Sequence, residues 1–254
     1  MLVVGTGVIG ASWAAYFLAK GFDVAATDPA DGAEKRLRAL VDGFWPSLES
    51  MGLVEGASRS RLRFDPEIMR AVAGCAFIQE NGPERVDVKR DLLAKISAAV
   101  PSDSLIATSS SGILISDIQD AAAYPERVLL GHPFNPPHLI PLVEVVGGRQ
   151  TSEDAIKKAL AFYESIGKKP IHIRREVKGM SLTVFRRLYG ARLSIWWNRG
   201  LRRLKMSTQR LLRVRAYVGR CSAPSSIYTC PGAPAASPMC WSIWDRRWKV
   251  GGTT

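Results

Sequence analysis

Short apolar runs alternate along the first two thirds of the chain with longer stretches in which apolar residues return at every third or fourth position. The runs have strand length and the stretches helix length, so the pattern predicts strands and helices in alternation. A first strand begins almost at Met1, leaving a tight and slightly short amino terminus. A helix follows over 10–20, with Trp13, Phe17 and Leu18 toward a sheet, and then a strand over 22–27. From 33 to 53 the positions Leu37, Leu40, Val41, Phe44, Trp45 and Leu48 predict a second helix, kinked or ended at Pro46. Leu62 and Phe64 read as an edge element and 68–72 as a short helix. The run 75–79 is a strand that meets the polar turn Glu80-Asn81-Gly82-Pro83. An amphipathic helix covers 85–100 through Val88, Leu92, Leu93 and Ile96. Leu105 to Ala107 is a strand ending in the hydroxyl-rich loop 108–112, and 115–123 forms a short helix. A strand over 128–131 leads into a rigid loop, His132-Pro-Phe-Asn-Pro-Pro137. The series closes with a strand at 142–146, a helix at 153–166 packed through Ile156, Leu160 and Tyr163, and a strand at 170–173.

Such alternation calls for an α/β protein of Rossmann type, a doubly wound and mainly parallel sheet. Ligands of these sheets sit outside the carboxyl ends of the strands. Glu80, Ser109 to Ser111 and His132 all fall there.

The first βαβ unit carries a more specific signal. Gly5, Gly7 and Gly10 form a G-x-G-x-x-G turn between the first apolar run and the first helix. Gly5 would make the tight turn, Gly7 let the backbone approach a pyrophosphate, and Gly10 allow close helix–strand packing. The backbone from Gly7 through Val8 and Ile9 to Gly10 opens the helix, so its unpaired N–H groups can face phosphates. Asp28 stands 23 residues after Gly5, where an acid would accept hydrogen bonds from the ribose 2′-hydroxyl of NAD and repel the 2′-phosphate of NADP. NAD is therefore the expected cofactor.

Charge changes the picture at the other end. The net charge of +12 is concentrated in residues 179–254, which hold 14 Lys and Arg against a single acid, Asp245. Residues 1–178 are balanced, with 21 basic and 22 acidic residues, so the body has no electrostatic case for nucleic acid. Nothing resembles a signal peptide, and the apolar window at 8–18 is too short to span a bilayer. A cytoplasmic location without a membrane partner is expected.

Among three histidines His132 is the strongest candidate for chemistry. It follows a strand directly, and imidazole suits proton transfer near neutral pH. Alcohol oxidation needs such a base to take the hydroxyl proton as hydride leaves for the nicotinamide. Glu144, one strand on, could hold the other ring nitrogen and fix the tautomer. A structural histidine with a satisfied backbone partner is the competing reading. Ser109, Ser110 and Ser111 could donate to a substrate oxygen, or form an ordinary solvated turn. Glu80 with Asn81 could line the nicotinamide side, or simply be solvated. His138 and His172 are lesser candidates. No Cys, His and acid spacing suggests a metal site, and Cys75 reads as buried and inert.

Together VVGTGVIGASWA, the strand-end Asp28, QENGPERVDVKRDL, IATSSSG and GHPFNPPHLIPLVEVVGG resemble the 3-hydroxyacyl-CoA dehydrogenase family over about residues 1–178. SSSG followed by HPFNPPHLIPLVEVVGG looks most like its L-carnitine dehydrogenase branch. By that resemblance His132 corresponds to the catalytic histidine, Glu144 to its acidic partner and Ser111 to the substrate-contacting serine. The cofactor set becomes Gly5, Gly7, Val8, Ile9, Gly10, Asp28, Glu80 and Ser109, with no metal. Ser109 stands where the wider family has an asparagine, a departure from the acyl-CoA pattern. The resemblance implies a small 3-hydroxy substrate: oxidation of the 3-hydroxyl of L-carnitine to 3-dehydrocarnitine by hydride transfer to NAD. The alternatives are a 3-hydroxyacyl-CoA such as 3-hydroxybutyryl-CoA, or a catalytically inactive NAD-binding fragment. In the intact family a second, helical domain closes over the substrate and supplies most of a homodimer interface.

The resemblance stops after Val177-Lys178-Gly179, and no helix with the family's Asn-Arg pair follows. Asn198-Arg199 occurs too late and beside glycine, so the family's asparagine is not carried onto it. Residues 179–254 have Arg over Lys at twelve to two, five of seven Trp and three of four Cys. That composition fits an out-of-frame translation of the helical domain, leaving a degenerate or disordered remnant. The alternative is an Arg- and Trp-bearing nucleic-acid segment. Cys221, Cys230 and Cys240 lack paired zinc-ligand spacing. The expected organisation is an NAD-binding domain over 1–178 and an atypical basic tail over 179–254.

Overall fold

The structure is a computed structural model that describes residues 1–72 and 74–176. The boundary expected at 178/179, and every expectation for the tail, lie outside the described residues. Among the described residues eight strands form one sheet: β1 (Leu2–Val4), β2 (Val24–Thr27), β3 (Leu62–Phe64), β4 (Phe77–Glu80), β5 (Leu105–Thr108), β6 (Val128–Pro133), β7 (Leu142–Gly147) and β8 (Lys169–Ile173). Their spatial order is β3-β2-β1-β4-β5-β6-β7-β8. All neighbours are parallel except β6 and β7. The mainly parallel Rossmann-type sheet expected from the sequence is thus present.

Among the described residues five α-helices cover the sheet: α1 (Val8–Ala19), α2 (Ala33–Met51), α3 (Ile68–Ala71), α4 (Val86–Ala99) and α5 (Glu153–Ser165). Alternate strand residues feed two cores. Val3, Val24, Ala26, Phe77, Ala107 and Leu129 pack with α1, α2 and α5, whereas Leu2, Val4, Ile78, Ile106, Val128 and Leu130 pack with α3 and α4. Burial on both faces is why these strands read as continuous apolar runs. Helix α1 has no polar side: Gly10 through Ala19 are all buried. It lies between the sheet and its helical neighbours, with Trp13 stacked on Phe17 at 5.3 Å and 5.8 Å from the Tyr163 ring of α5.

The chain leaves β1 toward β2 and β3 on one side and returns to β4 on the other, so β1/β4 is the topological switch point. Register makes the adjacent strand ends level. Thr27 pairs with Val4, Val4 with Glu80, Glu80 with Thr108, and Thr108 with Leu130. The next residues outward are therefore Asp28, Gly5, Asn81, Ser109 and Gly131, a row built by pairing alone.

Two local expectations are corrected and one is narrowed. Of the kink or end expected at Pro46, the end is excluded, because α2 continues to Met51. Pro46 is exposed while Leu37, Val41, Trp45 and Leu48 are buried, so the carbonyl it leaves unbonded faces water and packing holds both halves. The helix expected at 115–123 is two 3₁₀ turns, Ile115–Asp117 and Gln119–Ala121, separated at Ile118 by φ −127° and ψ −24°. The strand placed at 128–131 runs on to Pro133, which puts His132 inside β6 rather than in the loop after it.

Among the described residues no helix is long and apolar enough to cross a membrane. Among them, too, no group of three or more His, Cys, Asp or Glu could hold a metal ion.

Candidate active site

The glycine turn is shaped by contacts that tolerate no side chain at two positions. Gly5 has φ +80°, and a Cβ there would meet the Asn81 carbonyl at 2.8 Å. A Cβ on Gly10 would lie 1.9 Å from the Gly5 carbonyl oxygen. Gly7, by contrast, is open and precedes α1, whose first internal bond runs from the Ala11 N–H to the Gly7 carbonyl. The N–H groups of Val8, Ile9 and Gly10 thus have no acceptor within the helix. This cradle fits a pyrophosphate, as expected for NAD.

Asp28 is half-buried at the end of β2. Its Oδ2 accepts from the Thr6 N–H at 2.8 Å and the Thr6 hydroxyl at 3.0 Å, and its Oδ1 from the Ala30 N–H at 3.0 Å. The acid therefore also ties β2 to the glycine turn. A threonine inside a glycine motif carries no signal of its own in the sequence, so the role of Thr6 emerges only from the fold.

His132 and Glu144 face each other across the antiparallel β6–β7 pair. Nδ1 of His132 lies 2.9 Å from Oε2 of Glu144. The Glu144 side chain is fully buried, whereas His132 retains 12% exposure. A carboxylate only accepts, so Nδ1 carries the proton and Nε2 of the neutral ring keeps its lone pair. That is the arrangement of a general base whose tautomer is fixed by an acid.

Ser109 joins this pair to the glycine turn. Its hydroxyl donates to Asn81 Oδ1 at 2.7 Å and accepts from Gln79 Nε2 at 2.8 Å. Gln79 Nε2 also donates to the Gly131 carbonyl, next to His132, at 3.1 Å. Tyr163 completes the strut by donating to Gln79 Oε1 at 2.7 Å; burial pushes its phenol pKa far up, so it stays a donor. Ser111 is exposed beyond β5, and the structure gives no bond between it and His132.

Glu80 is placed differently from the expectation. Its side chain is wholly buried, paired with the buried Lys89 at 2.8 and 3.1 Å, and it accepts from the Thr108 hydroxyl and the Gly82 N–H. Its carboxylate is a brace for the turn that presents Asn81, not a lining group of the cleft. Lys89 stands on the buried stripe of α4 with Leu93 and Ile96, a cation at an apolar spacing that signals a buried partner.

The loop behind His132 is pinned from below. Lys168 donates to the carbonyls of Pro137 and Ile140 and sits 3.6 Å from the Tyr16 ring centroid. Burial, reinforced by Lys20, pushes its pKa down to about 7. His138 is buried, stacked on Phe44 at 4.3 Å and 2.8 Å from Ser12 Oγ through Nδ1. Burial and then the Lys168 charge bring its pKa down to about 4. Ser12 Oγ already accepts the His138 N–H, so its own proton goes to Nδ1, which suits a neutral ring. His138 is structural, and His172 is exposed on β8.

Both shifts disfavour the charged form in the folded chain. Between pH 4 and 6.5 the unfolded chain binds a proton at residue 138 that the folded chain refuses, so stability falls with acidification there. Between pH 7 and 10.5 the same holds for Lys168, so stability rises with pH across that window. In Lys168→Met that rise is expected to disappear and the His138 pKa to climb from about 4. Urea midpoints against pH and proton NMR of the His138 ring read the two effects.

A glycine cradle at the switch point and an acid closing β2 give a Rossmann-type dinucleotide-binding domain, with a His–Glu pair on the β6–β7 strands of the same sheet. The NAD-binding domain of 3-hydroxyacyl-CoA dehydrogenase matches residues 1–177. The chain belongs to the 3-hydroxyacyl-CoA dehydrogenase family. It is 54% identical over 176 residues to an L-carnitine dehydrogenase of Streptomyces griseus, a match covering 69% of this chain and 52% of that one. With an L-carnitine dehydrogenase of Pseudomonas aeruginosa it shares 53% identity over 176 residues, 69% of this chain and 55% of the other. The chain thus matches about half the length of these relatives. Among solved structures, 3-hydroxybutyryl-CoA dehydrogenase of Escherichia coli K12 aligns with TM-score 0.62 and 30% identity, covering 67% of this chain and 37% of the other. A diketoreductase aligns with TM-score 0.65 and 27% identity, covering 72% and 66%.

Proposed function

We infer that the chain carries the catalytic half of an NAD-dependent oxidation of a small 3-hydroxy acid, with L-carnitine as substrate. The observation that carries this reading is the His132–Glu144 pair at 2.9 Å, beside the strand ends that frame the glycine cradle. The Val8, Ile9 and Gly10 N–H groups and Asp28 would hold NAD, which would supply the hydride acceptor. His132 takes the substrate hydroxyl proton on Nε2, and Glu144 holds the resulting imidazolium through Nδ1–H. Ser111 donates to the substrate oxygen before it becomes a carbonyl, and Ser109 keeps Asn81 in place through its 2.7 Å bond. The proton on Nε2 then passes to water. Identity of 51–54% to L-carnitine dehydrogenases over the whole described part favours carnitine over an acyl-CoA.

The family match ends at residue 177, and this favours a second reading, an NAD-binding chain without turnover. Purified full chain assayed with NAD⁺ and either L-carnitine or 3-hydroxybutyryl-CoA, with NADH fluorescence in parallel, decides between them. Carnitine turnover is the expected result. Turnover of the acyl-CoA alone overturns the substrate, and NADH binding without any turnover overturns the activity.

A further inference from the structure

Strand β6 outruns its neighbour β5 just before the proposed base. The β5–β6 ladder ends at the pair Thr108 and Leu130. Among the described residues, β6 continues through Gly131, His132 and Pro133 paired with β7 only. The side that β5 no longer covers is met by a side chain from β4, one strand further away. Gln79 is 0% exposed, and its Nε2 donates to the Gly131 carbonyl at 3.1 Å. A side-chain amide thus stands in for the missing strand at the residue before His132.

The direction of every bond in this group is fixed. A carbonyl only accepts, so Nε2 of Gln79 faces Gly131 and Oε1 faces the Tyr163 hydroxyl, which donates to it at 2.7 Å. Nε2 gives its second proton to Ser109 Oγ at 2.8 Å, which leaves the serine proton for Asn81 Oδ1 at 2.7 Å. Asn81 Nδ2 in turn donates to the Val4 carbonyl at 3.3 Å, where β1 enters the glycine turn. One donor chain runs from α5 through β4, takes hold of the base-bearing strand and ends beside the cofactor cradle. The packing agrees with it. A Cβ on Gly131 would lie 2.1 Å from the Tyr163 hydroxyl oxygen and 3.1 Å from Ala107 Cβ, so only glycine admits the tyrosine. Buried polar networks whose members are all satisfied rigidify what they join.

We propose that Gln79 is a positioning residue: its amide, oriented by Tyr163, holds Gly131 and so sets His132 at a fixed place relative to the glycine cradle. The proposal rests on the reading of His132 as the general base. It concerns distance rather than charge, because the bonds end on the backbone beside the imidazole and on the cofactor turn, not on the ring.

The test uses Gln79→Met, Tyr163→Phe and the double variant in the full chain. Gln79→Met keeps an unbranched side chain of similar length but releases the Gly131 carbonyl. In steady-state oxidation of the 3-hydroxy substrate that the native chain turns over, it is expected to lower kcat by about tenfold to a hundredfold, with NADH affinity within about twofold of native. Tyr163→Phe keeps the ring and loses only the bond that orients the amide, so a smaller loss of about threefold to tenfold is expected. The double variant separates positioning from stability. Gln79→Met leaves the Tyr163 hydroxyl buried without that acceptor, and Tyr163→Phe removes the hydroxyl, so the urea midpoint should recover in the double variant. Its kcat should stay as low as in Gln79→Met, because the tyrosine acts only through the amide. A merely structural role would return kcat together with the midpoint, and that result overturns the proposal. NMR of the His132 ring protons, assigned with His132→Ala, reads position without turnover. They are expected to move in Gln79→Met while those of His172 stay. Unmoved His132 signals overturn the proposal, as does an unchanged kcat. If Gln79→Met does not fold, Tyr163→Phe gives the same two readings. Should the native chain oxidise neither substrate, the activity reading fails by itself, and the ring signals alone decide whether Gln79 sets the place of His132.

Discussion

Replacing His132 with alanine is expected to lower oxidation of the 3-hydroxy substrate by about a hundredfold to ten-thousandfold, the range ordinarily lost with a positioned general base. NADH affinity should stay within about twofold of native, because the glycine cradle and Asp28 use no atom of His132. Glu144→Gln separates the two parts of the pair. Its amide oxygen can still accept from Nδ1–H and keep Nε2 free, so the tautomer survives while the negative charge opposite the imidazolium is lost. The expected loss is therefore smaller than for His132→Ala, and it should fall on kcat rather than on KM. Single-turnover absorbance at the NADH band, measured with saturating NAD⁺, reads both variants. Equal rates in His132→Ala and native enzyme would remove His132 from the mechanism.

Glu144 also shows how much was readable beforehand. The glycine spacing, the acid 23 residues on and the strand–helix alternation are local patterns, and each maps onto one βαβ unit or one element. The pairing of His132 with Glu144 depends on register instead. A parallel β7 would have put other residues opposite His132; the antiparallel turn-back through Pro136 and Pro137 places Glu144 there. The same dependence on neighbouring strands places Glu84 of the turn between β4 and α4, whose carboxylate accepts from residues 26 to 29 positions away only because β4 and β5 are neighbours. The 115–123 segment differs for the opposite reason: its local propensity is helical, and a single broken dihedral at Ile118 divides it, while at Pro46 packing carries the helix past the proline. Glu80 failed through its partner. A glutamate at a strand end reads as solvated unless the lysine that neutralises it is recognised as buried too.

That buried partner gives the largest expected effect on stability. Lys89 is 1% exposed and Glu80 0%, and the pair stands between β4, β5 and α4. Lys89→Met removes one charge and leaves the other in the interior with only the Thr108 hydroxyl and the Gly82 N–H to hold it. Losing one partner of a buried pair costs about 3–5 kcal/mol, far more than any of the exposed pairs such as Arg38–Glu34 would. With a urea slope of about 2 kcal/mol/M, the midpoint should fall by about 2 M. The double variant Glu80→Gln/Lys89→Met tests the cause. Its amide oxygen can keep the Gly82 N–H while its NH2 group donates to the Thr108 hydroxyl, and it carries no charge, so most of the loss should return. A double variant no more stable than Lys89→Met would mean that Lys89 acts through its packing against Leu93 and Ile96 rather than through its charge. The NADH-binding measurement on the same proteins then locates the damage: the pair braces the Asn81–Gly82 turn, so affinity should weaken in Lys89→Met and recover alongside the midpoint.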